Sequence, residues 1–463
     1  MAKKIKDNVI ILGFGSVGRS FYKISNYKLD FVLDPKKTYI IDKSDNFLNY
    51  FVKNGGLESN YIVKEISKNN FQSIIIKDCL KNDKELQNTI ILDFLSTAGT
   101  DDIIKWCALN NIKYLNTGDS DWPEDEWRDL ISHYNSLQNI KKYISQNKLS
   151  IKSPIVLQSG MNPGLVSHFM KKGLEFIVET QFKDNNQYKK LLKDNHYNKL
   201  AQNLGVKFVQ IVDRDFQKTK LPFKKDVFYN TWNPETFYTE ITIESELCYG
   251  NNENFRECDE VVDFNQTYHW VKYKTISANT NIKALTPFKF FKGFLVGHEE
   301  VFTFSRFLSV EKNKTIVYCP TTMFIYRPCD ITKKYLAKRE KSNYSMPTKS
   351  YVLTKEIYKG SELVGINIIG DKFKSVFVGN MVTFDKKSEL MKDHNSTILQ
   401  VSSGAMGAFC WILKNKTKGG IYLPEEIDSD YVLNIAKKYM GQIIYYTYDV
   451  KKTNKFKRLK DFF

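Results

Sequence analysis

The segment Val9-Ile10-Ile11-Leu12, Gly13-Phe14-Gly15-Ser16-Val17-Gly18, Arg19-Ser20-Phe21-Tyr22 narrows the choice of fold more than any other stretch. An apolar strand runs into a glycine turn and out into a helix. That order suits a dinucleotide pyrophosphate: the first glycine turns the chain, the second lets backbone approach phosphate, and the third lets helix lie close to strand. The helix N-terminus adds free N–H groups and a positive dipole end. A second strand, Thr38-Tyr39-Ile40-Ile41, ends in Asp42. An acid at that place accepts hydrogen bonds from ribose hydroxyls and favours NAD over NADP. Lys43 beside it is a cation able to tolerate a 2′-phosphate, but NAD is the expected cofactor. Gly13, Gly15, Ser16, Val17, Gly18 and Asp42 are the first predicted cofactor contacts.

At 463 residues the chain is too long for one ordinary core and suits two or three domains. Hydrophobic content of 42% with 14% aromatics describes a globular protein. Lys3, Lys4 and Lys6 before Val9–Leu12 imitate a signal peptide, but Gly13 and Gly15 cut the apolar stretch short. No apolar run is expected to reach the roughly 18 residues of a membrane span. The seven cysteines are scattered, with no Cys-x-x-Cys pair, so neither a metal site nor a disulfide framework is indicated and a reducing cytoplasm is expected. The net charge of +17 raises nucleic-acid binding as an alternative. Its lysines are spread through polar stretches such as Lys183–Lys199 and Lys333–Lys349, without an arginine-rich helix, and this favours a solubilising bias.

Apolar stretches at Tyr61–Ile66, Ser73–Ile76 and Thr89–Leu95, a helix Asp101–Ala108 and a strand Lys113–Asn116 continue the strand–helix alternation of a parallel sheet. Asp121-Trp122-Pro123-Glu124-Asp125-Glu126-Trp127 reads as a loop feeding a helix that runs to about Tyr143. The expected architecture is α/β: a Rossmann-type domain over 1–153, a second α+β substrate and dimerisation domain over 154–390, and a C-terminal helical segment, 391–463, packing back on the first. Pro154–Gln158 reads as a short strand before Gly160-Met161-Asn162-Pro163-Gly164. Asn is a favoured cap and Pro a favoured first helical residue, which predicts a helix from Pro163 to about Phe176. Asn162 is then either a cap alone or a ligand group at a strand end.

Thr239–Leu247 alternates, with Ile241, Ile243, Ser245 and Leu247 on one face and Glu240, Thr242, Glu244 and Glu246 on the other. The acidic face is either solvated or a cation site, with Trp232 upstream able to hold an ammonium over its ring. His298 lies in Gly297-His298-Glu299-Glu300, where the acids raise its proton affinity; it is either structural or a general acid–base. Arg327-Pro328-Cys329-Asp330 looks like a turn, and Asp330 is either a turn acid or more. Leu399–Leu413, with Gly404, Ala405, Gly407 and Ala408, is a small-residue helix built for close packing.

These landmarks, in this order, resemble the homospermidine synthase family of the saccharopine-dehydrogenase-like group. The resemblance runs over most of the chain: Gly13–Gly18, Gly160–Gly164 (Gly-Ala-Asn-Pro-Gly in the family), Leu204-Gly205-Val206-Lys207, Asp213-Arg214-Asp215, Thr231-Trp232-Asn233, Glu240, Glu246-Leu247, His298, Pro328-Cys329-Asp330 and Gln400-Val401. It implies NAD as a recycled cofactor and aminobutyl transfer from putrescine, or spermidine, to putrescine through an imine. Ammonia, or diaminopropane, is released. It implies Trp232, Glu240, His298, Asp213, Asn162 and Asp330 as catalytic or amine-binding residues, Ser96, Thr117 and Asn162 as further cofactor contacts, no metal, and a homodimer without nucleic-acid or membrane partners. An imine-reducing oxidoreductase of the same fold is the nearest alternative, but it needs a cationic pocket for carboxylate, against which Trp232 and Glu240 argue. The chain departs from the family pattern at Asp213 (Glu in the family), at Gly118–Asp121 (Cys-Ile-Glu-Pro), at Glu299 (Gly) and at Ser159 (His). Asp119 or Asp121 is expected to replace the displaced acid near Ser120.

Overall fold

The computed structural model describes residues 3–27, 29, 31–125, 128–251, 253, 261–339, 344, 347–449, 453 and 455–463. The chain divides into two compact units, Met1–Leu165 with Ile398–Met440, and Val166–Thr397 with Gly441–Phe463. The divisions therefore lie at 165/166, 397/398 and 440/441, away from the expected 153/154 and 390/391. Pro154–Val156 stays with the first unit because it pairs in parallel with Lys113–Asn116.

The first unit is built on a parallel sheet of seven described strands. β1 (Asn8–Leu12), β2 (Thr38–Asp42), β3 (Tyr61–Val63), β4 (Thr89–Asp93), β5 (Lys113–Asn116) and β6 (Pro154–Val156) are joined by Gly420–Tyr422, in the spatial order Gly420–Tyr422, β6, β5, β4, β1, β2, β3. Strands buried on both faces read as continuous apolar runs, as Val9–Leu12 and Ile90–Leu92 do, because helices cover both sides. Strand order reverses at β1, which has β2 on one side and β4 on the other, so the crevice at the carboxyl ends of β1 and β4 is where ligands of such sheets bind. α1 (Ser16–Ile24) and α2 (Thr100–Asn110) are the crossover helices nearest to it. The apolar Ser73–Ile76 is helical, not extended, lying within Phe71–Ile74 and the wider turn Ile75–Leu80. The helix expected to reach Tyr143 runs Leu130–Gln146; Glu126 and Trp127 of the loop before it lie outside the described residues.

The second unit carries β7 (Val206–Asp215), α3 (Pro234–Thr242), β8 (Glu244–Cys248), β9 (Phe291–Val296), α4 (Glu299–Leu308), β10 (Thr321–Arg327), α5 (Asp330–Arg339) and β11 (Ser361–Gly370). β10 runs parallel to β7, with Tyr326 opposite Asp213 and Arg327 opposite Arg214, while β11 runs antiparallel to β7, with Glu362 opposite Asp215. β8 and β9 pair with β10, and Ile444–Thr447 closes one edge through Val376–Thr383.

Thr239–Leu247 is not one strand. α3 occupies Pro234–Thr242, started by Asn233, whose Oδ1 accepts from the N–H groups of Glu235 (3.0 Å) and Thr236 (3.2 Å), with Pro234 in the first turn. Phe237, Tyr238 and Ile241 are its buried side, a helical spacing that the alternation concealed. Conversely, Asn162-Pro163 does not open a helix. Its peptide bond is cis, Pro163 lies in a tight loop closed by Gly160 N–H to Pro163 O (2.8 Å), and the helix starts at Leu165 and runs to Gln181.

The helix Ser396–Lys414 is, by length and composition alone, long and apolar enough to cross a membrane, contrary to the sequence reading, but 89% of that window is buried within the protein. Its Ile398–Lys414 part packs on the first unit: Ser402 Oγ meets Ser20 Oγ of α1 at 2.7 Å, and Phe409 lies edge-on to Phe21. A Cβ on Gly404 would stand 1.9 Å from the carbonyl oxygen of Gly160. Gly404→Ala is therefore expected to lower stability by about 1–3 kcal/mol through overpacking. An unchanged urea midpoint for this variant would contradict the contact.

Candidate active site

In the first unit, the turn after β1 is fixed from both sides. Gly13 takes φ +81° and donates to Ile41 O at 2.9 Å, and Phe14 N–H donates to Asp42 Oδ2 at 2.7 Å. Asp42 Oδ1 accepts from the N–H (3.0 Å) and hydroxyl (3.2 Å) of Ser44, so this acid organises the turn itself. Gly15 precedes α1 without any side-chain cap, which leaves the N–H groups of Ser16, Val17 and Gly18 at an open helix end. The glycines differ in what they permit. A Cβ on Gly18 would stand 2.3 Å from Gly13 O, whereas a Cβ on Gly15 would meet nothing within 4 Å. Gly18 is a packing requirement; Gly15 leaves a space over the helix end that an anionic group fits.

The other predicted cofactor contacts follow strands of the same sheet. Ser96 is exposed on the loop after β4, and Thr117 is half-buried after β5. Asp93 at the end of β4 accepts from Tyr114 Oη (2.8 Å) and Leu95 N–H (3.0 Å), and burial pushes its carboxyl up to about 6. Gln158, which the sequence reading passed over, takes φ +53° after β6; its Nε2 donates to Asp119 Oδ2 at 2.6 Å, and its Oε1 is buried without a hydrogen-bond partner among the described residues. A buried acceptor left open at the carboxyl edge fits a ligand amide. Asn162 is half-buried in the tight loop that follows. Of the two acids weighed near Ser120, Asp121 is paired with Arg128 (2.5 Å), while Asp119 accepts from the amides of Asn116 and Gln158. Ser120 and Ser159 hydrogen-bond to backbone, through Ala98 O (2.6 Å) and Leu157 O (3.0 Å).

The second unit brings an aromatic and acidic cluster together on the Tyr326 face of the sheet. Trp232 follows Thr231, just before the Asn233 cap, and its Nε1 donates to Tyr326 Oη at 3.2 Å. Phe237 of α3 packs on both rings, 5.4 Å from Trp232 and 5.0 Å from Tyr326. One step along β10, Phe324 stacks with Tyr326 (6.3 Å) and meets the His298 ring at 5.0 Å. Asn395 Nδ2 holds the chain behind Trp232 by donating to Thr231 O at 2.6 Å.

Below these rings lie Asp213, Asp215 and Glu362. Gln217 Nε2 is shared between Asp215 Oδ1 (3.2 Å) and Glu362 Oε2 (3.0 Å), and Thr231 Oγ1 donates to Asp215 Oδ2 at 2.7 Å. Burial, with Asp213 nearby, raises Asp215 to about 7; burial and the two aspartates push Glu362 well above the ordinary carboxylate range. Two carboxyls sharing one amide donor keep a proton between them or take a cation. Glu362 and Tyr326 were not read as site residues, since only cross-strand register brings them to this end of β7; Asp215, two residues past Asp213 on the same strand, was noted only as part of a motif.

A second acidic group surrounds His298, which precedes α4. Its Nδ1 is in contact with Glu300 and lies 3.2 Å from Glu299. Burial alone lowers its affinity for a proton, but Glu300, Glu299 and Glu240 outweigh that and raise it to about 10. Glu240 is half-buried on α3, one turn past Phe237; desolvation, then Glu299 and Glu300, lift it to about 8 against the pull of His298. Glu300 Oε1 is buried with no hydrogen-bond partner among the described residues. At neutral pH His298 is therefore an imidazolium and Glu240 largely a neutral acid. Of the acidic face expected at 240–246, Glu244 and Glu246 turn instead to Lys272 (3.8 and 3.9 Å), and Glu246 also accepts from Trp270 Nε1. Asp330 is exposed at the first position of α5 and is not in the cluster with Trp232. His298, Glu299 and Glu300 are the one group of described residues with metal-ligand proximity.

The chain matches no protein-family profile. It is similar to a curated homospermidine synthase of Blastochloris viridis, 25% identical over 448 residues that span 95% of this chain and 91% of the relative. It is also similar to one of Mesorhizobium japonicum, 24% identical over 460 residues, 96% of this chain and 91% of the relative. Among solved structures, the homospermidine synthase of Legionella pneumophila in complex with NAD superposes with a TM-score of 0.82 at 23% identity, covering 97% of this chain and 93% of that one. The fold, a Rossmann-type parallel sheet with a second mixed-sheet domain, is the one that likeness shows.

Two outcomes are expected. Gly18→Ala lowers the melting temperature and weakens dinucleotide binding together, whereas Gly15→Ala leaves the ligand-free melting temperature within about 1 °C and weakens dinucleotide alone, because only Gly18 packs against protein; equal losses of melting temperature would contradict this division. The raised groups set a pH dependence. Each contributes stability that is complete below its unfolded value (about 4 for the acids, about 6.5 for the imidazole) and is lost as pH rises through about 7 for Asp215, about 8 for Glu240 and about 10 for His298. Ligand-free protein should melt lower at pH 9 than at pH 6, and Glu240→Gln should flatten the step near pH 8. A melting temperature that rises over that range would be incompatible.

Proposed function

We propose that this chain is a homospermidine synthase that transfers an aminobutyl group from putrescine, or spermidine, to a second putrescine with loss of ammonia, or diaminopropane. The reading rests on its end-to-end likeness to curated homospermidine synthases. The observation that carries it is the meeting of Trp232, Tyr326, Asp213, Asp215 and Glu362 with Glu240, Glu300 and His298 on one face of the second unit's sheet. A diamine dication in a closed pocket needs acids and aromatic faces, since an unpaired ammonium there is costly.

The Gly13–Gly18 turn, the first turn of α1, Asp42, Gln158 Oε1, Ser96, Thr117 and Asn162 are the groups that would hold NAD. Bound there, NAD would supply reversible hydride acceptance at the amine-bearing carbon with no net redox change, the net reaction being two putrescines to homospermidine and ammonia. The chain's own residues manage charge. Trp232 offers its ring to positively charged nitrogen, and Asp213, with Asp215 and Glu362 behind it, binds an ammonium. Glu300, with its open oxygen, binds another. Glu240, poised near 8, exchanges the proton that an amine must lose before it can react. His298 stays an imidazolium, fixed by Glu300 and Glu299, and orients those acids rather than serving as the base. Asp119 takes the place of the family's displaced acid, while Asp330 stands at the solvent face away from the amine cluster and takes no part in it.

We place the enzyme in the cytoplasm as a homodimer, without nucleic-acid or membrane partners. The six described cysteines are all free and buried, as a reducing compartment permits.

The direct test is incubation of the protein with putrescine and catalytic NAD. Ammonia and homospermidine should form one for one without accumulation of NADH; stoichiometric NADH would point instead to a net oxidoreductase. Trp232→Ala should cut turnover by on the order of 10- to 30-fold, the equivalent of about 2 kcal/mol of cation–π stabilisation, with NAD affinity unchanged. Turnover equal to wild type would remove Trp232 from the site.

A further inference from the structure

The face of the second sheet opposite Asp213 and Tyr326 holds a cluster of the other sign. Arg214 and Arg327 stand directly opposite one another on the parallel strands β7 and β10. Like charges in that relation repel. Lys333 lies in the first turn of α5, close enough for Arg327 and Arg214 to lower its proton affinity, together with burial. Arg214 is only 9% exposed, yet its guanidinium has neither hydrogen-bond nor ion-pair partner among the described residues. It lies over aromatic rings instead, its Cζ 4.2 Å from the centroid of Phe216 and 4.9 Å from that of Phe291. Arg327 gives one N–H to Lys292 O at 3.3 Å. Asp330 acts on Arg214 and Lys333 through its charge but makes an ion pair with neither.

A guanidinium held against two rings still presents its edge, a planar fork of N–H donors matched to two oxygens of one anion. Two guanidinium groups facing each other in register repel, and an anion bridging their N–H edges relieves that repulsion. The N-terminus of the ten-residue α5 adds its positive dipole end at the same place. We propose that Arg214, Arg327 and Lys333 form an oxyanion-binding site for a phosphate or carboxylate group, separate from the amine cluster and on the other side of the sheet. Arg214 is the anchor, Arg327 closes the opposite edge, and Lys333 sets the charge.

The test is a set of melting temperatures for wild type, Arg214→Met and Arg327→Gln in inorganic phosphate, sodium acetate and sodium chloride at equal ionic strength and pH. Phosphate stabilises proteins generally by exclusion from their surfaces, so the informative quantity is the difference between wild type and variant. Wild type should gain several degrees more in phosphate than Arg214→Met does, and more than Arg327→Gln. In chloride, Arg214→Met, which keeps an apolar side chain between the two phenylalanines, should melt at or above wild type because an uncompensated charge is gone. A wild-type gain in acetate matching that in phosphate assigns the site to oxyanions generally; a gain confined to phosphate assigns it to phosphate groups. Phosphate increments identical in wild type and both variants would overturn the proposal. Should Arg214→Met fail to fold, the Arg327→Gln comparison decides the matter alone.

Discussion

Acidic side chains held away from water govern the second unit. Asp215 and Glu362 face each other across paired strands and draw on the same Gln217 amide, with Asp213 beside them. Glu240 and Glu300 gather round His298 a short way along the same sheet. Desolvation disfavours the charged forms of Asp215, Glu362 and Glu240, so these groups keep protons that water would have taken, or wait for a cation. Rings fill the ground between: Trp232, Phe237, Tyr326 and Phe324 form a continuous series of contacts from the Asp215 end to His298. Acids at two ends and π faces between them describe the complement of a flexible chain with positive nitrogens.

The first unit solves a different problem with simpler means. Its central strands are buried on both faces, and the turn after β1 is closed by a backbone bond to Ile41 and a carboxylate bond to Asp42. Gly18 lets α1 approach that turn, and Gly15 stays clear of it. The small-residue helix from Ile398 onward presses so closely on the Gly160–Gly164 loop that no side chain fits at Gly404. What the loop offers to a ligand is therefore set partly by residues more than two hundred positions downstream.

Local chemistry was legible in the sequence, and pairing was not. The glycine turn, the acid at Asp42 and the strand–helix alternation carried the first fold, because each depends on neighbours in the chain. The dipeptide Asn-Pro shows the limit of such signals. At Asn233-Pro234 it caps a helix; at Asn162-Pro163 the same two residues sit in a cis turn. Alternation at 239–247 imitated a strand because Phe237, Tyr238 and Ile241 satisfy a helical stripe that only the upstream cap reveals. Trp232, Glu240 and His298 were singled out by residue type and by likeness to a family. Glu362 and Tyr326 were silent, since only strand register brings them to Asp213, and register spans more than a hundred residues of chain. Asp330 drew notice as a motif but stands at the solvent face, near the arginines of the opposite side.

The central claim is that ammonium groups take the place of protons in the second unit's acidic cluster. Calorimetric titration of putrescine into the NAD-free protein, which cannot turn it over, at pH 7 and in buffers of different ionisation enthalpy, measures that exchange directly. The account predicts a binding heat that changes with buffer in the sense of proton release, on the order of one proton for each diamine bound. A binding heat independent of the buffer, or one showing proton uptake, would contradict it.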